Sequence, residues 1–286
     1  MQVNLHKAKQ GQIEIAKRIK KLNTKASPFI CLAQEPLTGK NGAMLQPNTC
    51  QRFSKGTHPR AIIYASSQLK IWFIETLSTP DIVVAQTKIK NRSTLIISAY
   101  LDIQNTDVIP DALDTAMQYA HDKGLAILVA MDSNAHSSSY GPTNNTRGEK
   151  IDLFIARHQL HIENTGNTPT FQARNCETFI DVTLTSNLAV SVADWRVCQD
   201  YNGSDHNTIL FHTHTDLDRT EPQWRWDKAD WDLFQAEVKK ADLNIPHIIF
   251  QEDCDTIVTE YYKIIYKAMK KAIPKSKPKI IDKNNP

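Results

Sequence analysis

Short apolar runs, most of them stopping beside a polar residue, are the feature that most constrains how this chain can fold. Pro28 to Ala33 (PFICLA), Ala61 to Ala65, Ile82 to Ile89, Thr94 to Tyr100, Leu125 to Met131, Phe179 to Leu184 and Thr208 to Phe211 are of strand length, and Val3 to Leu5 is a shorter candidate. Runs as continuously apolar as PFICLA read as strands buried on both faces. Helix-like segments lie between them. Ile13, Ala16 and Ile19 recur at helical spacing among Lys17, Arg18, Lys20 and Lys21, and Leu113, Ala116, Met117 and Ala120 share one face of a segment from Asp111 to Lys123 that Gly124 ends. Strands covered on both faces need further layers on each side, so residues 1–217 are expected to form one large α/β domain. No internal repeat at a solenoid period interrupts this pattern.

After Asp216 the composition shifts. Trp224, Trp226 and Trp231 cluster, helical patterns follow at about Asp230 to Lys240 and Asp253 to Ile273, and the chain ends in PKSKPKIIDKNNP. Residues 218–286 are therefore expected to be a mostly helical extension with a basic, disordered tail. The tryptophans are expected to pack against a core rather than stack on bases. Eight lysines and one acid lie between Lys263 and Lys283, although the whole chain carries a formal charge of only +3. Such a basic end suits phosphate binding, and equally a solvated linker. Five scattered cysteines without a C-x-x-C spacing argue against a disulfide framework and a thiolate zinc site. No apolar run approaches the roughly 20 residues needed to cross a bilayer, and MQVNLHKAKQ lacks the apolar stretch of a secretory signal, so an intracellular protein with no membrane partner is expected.

The chemistry sits where the strand candidates meet polar residues. Asn4 follows Gln2 and Val3, Glu35 follows PFICLAQ, Tyr100 follows LIISA, and Asp132 with Asn134 follows LAILVAM. Asp181 lies inside FIDVTLTS, and Ser204, Asp205 and His206 precede NTILF. Each alone also fits a turn, a helix cap or a core tyrosine. Together they suit phosphodiester hydrolysis, which needs a hard divalent cation, a group to position or deprotonate water, and donors for the nonbridging phosphate oxygens. Cysteine is absent from all these positions, which favours an oxygen-ligated magnesium site over zinc.

The same residues, in the same order, resemble the exonuclease-endonuclease-phosphatase superfamily, and more narrowly the apurinic/apyrimidinic-type endonuclease domain of non-LTR retrotransposons. The strings that carry the resemblance are QVNL (2–5), QEP (34–36), SAYL (98–101), DSNAHS (132–137), NTRG (145–148), PTF (169–171), IDVTLTS (180–186) and SDH (204–206). The resemblance implies two packed β-sheets flanked by helices, a four-layer α/β sandwich, with the site at one edge. It implies that Glu35 holds Mg²⁺, helped by Asn4 and by Asp205, with Mn²⁺ able to substitute. Asp132 would orient or deprotonate water with Asn134 beside it, and His206 would stabilise charge on the scissile phosphate while Asp181 holds its ring. Tyr100 would hydrogen-bond the phosphate, and Thr170 and Ser204 would support the site.

One departure narrows the expectation. Repair members of the superfamily usually carry an acid two residues after the first Asn, where this chain has His6. The expected activity is therefore nicking of one strand of double-stranded DNA in the nucleus, leaving a 3′-hydroxyl for a linked reverse transcriptase. WRWDKADWDLF resembles the segment that connects the two enzymes. The rival expectations are a phosphatase or phosphodiesterase of the same fold acting on a small substrate, and a catalytically silent nucleic-acid-binding module. Target choice is expected from loops around the cleft, with 137–147 and 171–178 as candidates.

Overall fold

The computed structural model describes residues 1–24, 28–39, 50–89, 92–186, 191–214, 217–220, 224–241, 251–275 and 279–282. It divides into two compact units, Met1–Thr215 and Asp216–Pro286. In chain order the first unit contains β1 (Gln2–Asn4), α1 (Lys9–Thr24), β2 (Ile30–Gln34), β3 (Cys50–Phe53), β4 (Ala61–Ser66), β5 (Ile71–Phe73), β6 (Ile82–Ile89), β7 (Arg92–Tyr100), α2 (Asp111–Asp122) and β8 (Ala126–Asp132). It continues through α3 (Thr146–Arg157), β9 (Leu160–Ile162), β10 (Phe171–Ala173), β11 (Cys176–Thr178), β12 (Asp181–Ser186), β13 (Ser191–Cys198) and β14 (Thr208–His214). The second unit contains β15 (Leu217–Thr220), α4 (Trp231–Lys239), α5 (Gln251–Ala272) and β16 (Lys279–Asp282).

Two six-stranded sheets dominate, ordered β13-β14-β1-β2-β4-β3 and β5-β6-β7-β8-β12-β9. Each is mixed and has one parallel pair at its centre, β1 with β2 and β7 with β8; the remaining pairings are antiparallel. A parallel pair needs a crossover, and α1 and α2 supply one for each sheet. Alternate residues then divide between two environments. On β8, Leu128 and Ala130 join Leu32, Ile63, Val83 and Ile96 between the sheets, whereas Ile127, Val129 and Met131 face Leu113, Met117 and Phe154 of α2 and α3. On the far side of the first sheet, Val3, Cys31, Ala33, Ile62 and Tyr64 cover Ile15 and Ile19 of α1. The layers are thus helix, sheet, sheet, helices, the expected four-layer sandwich.

Polar side chains also bridge the sheets. Gln2 Nε2 donates to Met131 O at 3.1 Å, and Gln2 Oε1 accepts from Thr183 Oγ1 at 2.8 Å. Gln34 Nε2 donates to Ser98 Oγ at 3.0 Å and to Ala130 O at 3.2 Å. Both glutamines are fully buried. Gln34 ends β2 and Gln2 opens the three-residue β1, two residues before Asn4, so the sheets are tied together close to where those strands finish.

Two expectations are corrected in the second unit. Lys279–Asp282, expected within an unstructured tail, forms β16 and pairs antiparallel with β15; Ile280 and Ile281 favour extended backbone. Trp226 and Trp231 stack on each other at 6.0 Å with about half of each residue exposed, instead of packing into a core, whereas Trp224 meets Tyr266 edge-on at 6.5 Å. The rest of the expected tail, 276–278 and 283–286, lies outside the described residues. No helix among the described residues is long and apolar enough to cross a membrane.

Candidate active site

Parallel strands deliver their C-terminal residues to one edge of a sheet, and here two parallel pairs do so together. Asn4 ends β1, Glu35 follows β2, Tyr100 ends β7 and Asp132 ends β8. Register completes the set, because Asp132 sits beside Tyr100 on one side and Asp181 on the other. The chain turns sharply at these ends. Among the described residues six non-glycine positions have positive φ, and four of them are His6, Lys7, Glu35 and Asn134. Backbone strain of this kind collects where surrounding structure holds a site in place.

Asn4 joins the two sheets at this edge. Its Nδ2 donates to Asp132 Oδ2 at 2.8 Å and to Glu35 Oε2 at 3.4 Å, while its Oδ1 accepts from His6 N at 2.8 Å. Expected as a metal ligand beside Glu35, Asn4 instead meets the two carboxylates through its amide N–H groups. The other oxygen of Asp132 accepts from Asn134 N at 3.2 Å, and Asn134 Nδ2 donates to Leu101 O at 3.1 Å.

Asp181 and His206 form the second half of the site. His206 Nδ1 lies 2.8 Å from Asp181 Oδ2, and the side chains are only 5% and 2% exposed. Thr170 Oγ1 accepts from Asp181 N at 3.0 Å and Ile180 N at 3.1 Å, which fixes the backbone that carries Asp181. Ser204 Oγ donates to Asn4 O at 2.9 Å and accepts from His206 N at 3.2 Å, tying the SDH turn to the end of β1. Asn202 Nδ2 donates to His206 O at 2.7 Å, and the Phe171 ring meets the imidazole edge-on at 5.0 Å. Asp205 faces His6 Nδ1 at 3.4 Å.

Burial and charge set the protonation of this group. Burial, and then the charge of Asp181, push the Asp132 carboxyl upward against the opposing pull of His206, Asn4 and the Asn134 amide. Burial favours neutral His206, but Asp181 by charge and hydrogen bond, with Asp132 and Asp205, outweighs it and lifts the imidazole to about 9. The Tyr100 phenol is raised by burial and by the charges of Glu35 and Asp132. At neutral pH the site therefore presents an imidazolium next to a carboxyl that accepts protons readily.

The donor set fits a hard divalent cation. Glu35 and Asp205 offer carboxylate oxygens that are 12% and 24% exposed. Asp181 Oδ1 is buried without a hydrogen-bond partner, and ligand atoms of Asp132, Asp181 and His206 lie within 4.8 Å of one another. Proximity alone would also let those three hold an ion. The direct hydrogen bond between Asp181 and His206 makes them a better acid–base pair, so the Glu35 side is the stronger candidate for a cation.

Several supporting residues had no role in the sequence reading. Arg60 pairs with Asp81 (Nη2 to Oδ2, 2.6 Å) and with Asp102, and its guanidinium lies 5.0 Å from the centre of the Tyr100 ring. Arg147, the arginine of NTRG, donates to Ser133 O at 3.1 Å, Leu101 O at 3.0 Å and Asp102 O at 2.9 Å. Asn145 caps α3 by accepting from Gly148 N at 2.7 Å. NTRG thus begins a helix where a loop through Arg147 was expected, and the other candidate loop, 171–178, is the β10–β11 hairpin. The string itself was visible; a side chain bonding to carbonyls more than forty residues away leaves no local pattern.

Residues 94–210 match the family described as endonuclease-reverse transcriptase. Among solved structures, the endonuclease domain of TRAS1, a telomere-specific non-LTR retrotransposon, is similar at 24% identity with a TM-score of 0.61, covering 74% of this chain and 96% of that one. The apurinic/apyrimidinic endonuclease of Leishmania major is similar at 11% identity and a TM-score of 0.55, with 74% and 86% covered. An endonuclease/exonuclease/phosphatase family protein of Leptotrichia buccalis gives 11% identity and a TM-score of 0.52, with 74% and 98% covered. No curated protein matches the chain significantly. The first unit thus shares the four-layer fold of these structures, and its residues 94–210 are similar to the endonuclease-reverse transcriptase family.

Proposed function

We propose that this chain is a Mg²⁺-dependent DNA endonuclease that nicks one strand of a nuclear duplex and leaves a 3′-hydroxyl for a linked reverse transcriptase to extend. The observation that carries the reading is the convergence of Asn4, Glu35 and Asp132 at one sheet edge beside a buried Asp181–His206 pair. Glu35 and Asp205 would hold the cation, Mg²⁺ or Mn²⁺, which when bound neutralises charge on the phosphate oxygens. Asn4 would orient Glu35 and Asp132 instead of coordinating.

Hydrolysis forms a bond from a water oxygen to phosphorus and breaks the bond from phosphorus to O3′, which takes a proton from solvent water to leave the 3′-hydroxyl. Asp132, whose carboxyl is pushed upward by burial, suits a group that orients this water and takes its proton. His206, held as an imidazolium by Asp181, suits a donor to the phosphate oxygens as charge builds on them. Tyr100 and Asn134 would contact the phosphate, and Thr170 and Ser204 would hold Asp181 and His206 in place. The similarity to structures whose names specify endonucleases, one of them from a non-LTR retrotransposon, supports DNA as substrate and reverse transcription as context. The hairpin 171–178 is the proposed reader of groove shape.

Nicking of supercoiled plasmid in Mg²⁺ tests the reading. Asp132→Ala and His206→Ala should each lower the rate by roughly two to four orders of magnitude. No nicked product from the intact chain, or undiminished nicking by either variant, would overturn it.

A further inference from the structure

Lys7 takes no part in the reaction described above, yet it lies on the residue assigned to hold the cation. Its Nζ is 3.2 Å from Glu35 Oε1, with the lysine side chain 63% exposed and the glutamate 12%. Its backbone binds the same residue, since Lys7 N donates to Glu35 O at 2.8 Å. His6, Lys7 and Glu35 have φ of 47°, 53° and 45°, so the backbone bends sharply on both sides of this contact. One Glu35 oxygen is therefore met by the Asn4 amide and the other by an exposed ammonium. The amide is neutral and part of the inter-sheet joint. The ammonium occupies the oxygen that the Asn4 amide leaves open.

We propose that Lys7 is the resident counter-cation of Glu35 when no divalent ion is bound, and that its withdrawal is part of metal binding. Lys7 thereby sets the metal affinity of the site. The ammonium is exposed, so water and salt screen its attraction to Glu35 and it can be exchanged. A doubly charged ion held by several oxygens gains more from the same carboxylate. Until then Lys7 keeps a largely buried carboxylate, which shares the Asn4 amide with Asp132, from standing without a cation. The inference rests on Glu35 as a metal ligand.

Mn²⁺ binding to the DNA-free, full-length protein, followed by the electron paramagnetic resonance of free Mn²⁺ at fixed pH and ionic strength, tests it. Lys7→Met should tighten binding about two- to fivefold, the weight of a weak exposed pair, whereas Lys7→Arg should stay within about twofold of the parent. Both should melt like the parent, because Lys7 is exposed. Unchanged or weaker binding by Lys7→Met, alongside clear loss in Glu35→Gln, would overturn the role of Lys7 and leave Glu35 as a ligand. Parent-like binding by Glu35→Gln would instead remove the metal assignment, and the Lys7 inference with it.

Discussion

His206 is where charge and burial compete most openly. Its folded value near 9 lies above the ordinary 6.5, so the stability it draws from Asp181 is fully present below about pH 6.5 and lost as pH rises through about 9. An NMR titration of the His206 ring should therefore show an imidazolium through neutrality with a midpoint near 9, and Asp181→Asn should move the midpoint down. A midpoint at or below 6.5 would remove the imidazolium from the proposed chemistry. Gly148 is constrained in a different way. A Cβ there would lie 1.7 Å from His136 O, so the start of α3 can approach DSNAHS only with glycine at that position. Gly148→Ala should cost about 2–4 kcal/mol in urea unfolding, since the clash is with backbone that cannot rotate aside. The sequence displayed NTRG as a string, but its reason is a close approach that only packing creates.

Strand and helix identities were the most legible elements. β8 is apolar up to Asp132 because both its faces are covered, and the Leu113, Ala116, Met117, Ala120 stripe of α2 sits against it as its spacing predicts. The strands β3, β5, β9 to β11 and β13 were not anticipated, since their residues are mixed runs, most of them short, whose pairing depends on a neighbour already being in place. The bridges between sheets were equally invisible. Gln2 and Gln34 follow no local rule, yet each satisfies partners on the opposite sheet one to three residues from a site carboxylate. Gln2→Leu strands the Thr183 hydroxyl and two carbonyl contacts, so urea unfolding should show a loss of about 1–3 kcal/mol. Plasmid nicking should fall with it, because Met131 precedes Asp132. A variant with parent stability and parent rate would show that the two sheets hold their relation without this strut.

At the scale of the molecule, all three apolar clusters of the sandwich are built from residues within Met1–Thr215. A chain truncated after Thr215 should therefore fold cooperatively and keep the proposed Mg²⁺-dependent nicking at the level of the full chain. Circular dichroism melting and the plasmid assay would check this, and loss of the cooperative transition would show that the first unit depends on residues beyond it. The second unit joins α4 to α5 through the pair from Lys271 Nζ to Glu237 Oε2 at 2.7 Å, while Val258, Tyr261, Tyr262 and Ile265 remain exposed on α5.

The order of the polar residues along the chain, and the apolar runs that carry them, determined the sheets and named the candidate site residues, because burial on two faces and chemistry at strand ends both leave a trace in composition. What each residue does depended on the tertiary structure. Asn4 turns its N–H groups, not its oxygen, to the carboxylates because the His6 amide claims that oxygen, and Lys7 reaches Glu35 only because two left-handed residues bend the chain back. Hydrogen-bond direction and the reach of a side chain across two sheets are properties of assembled geometry, and no spacing in the sequence encodes them.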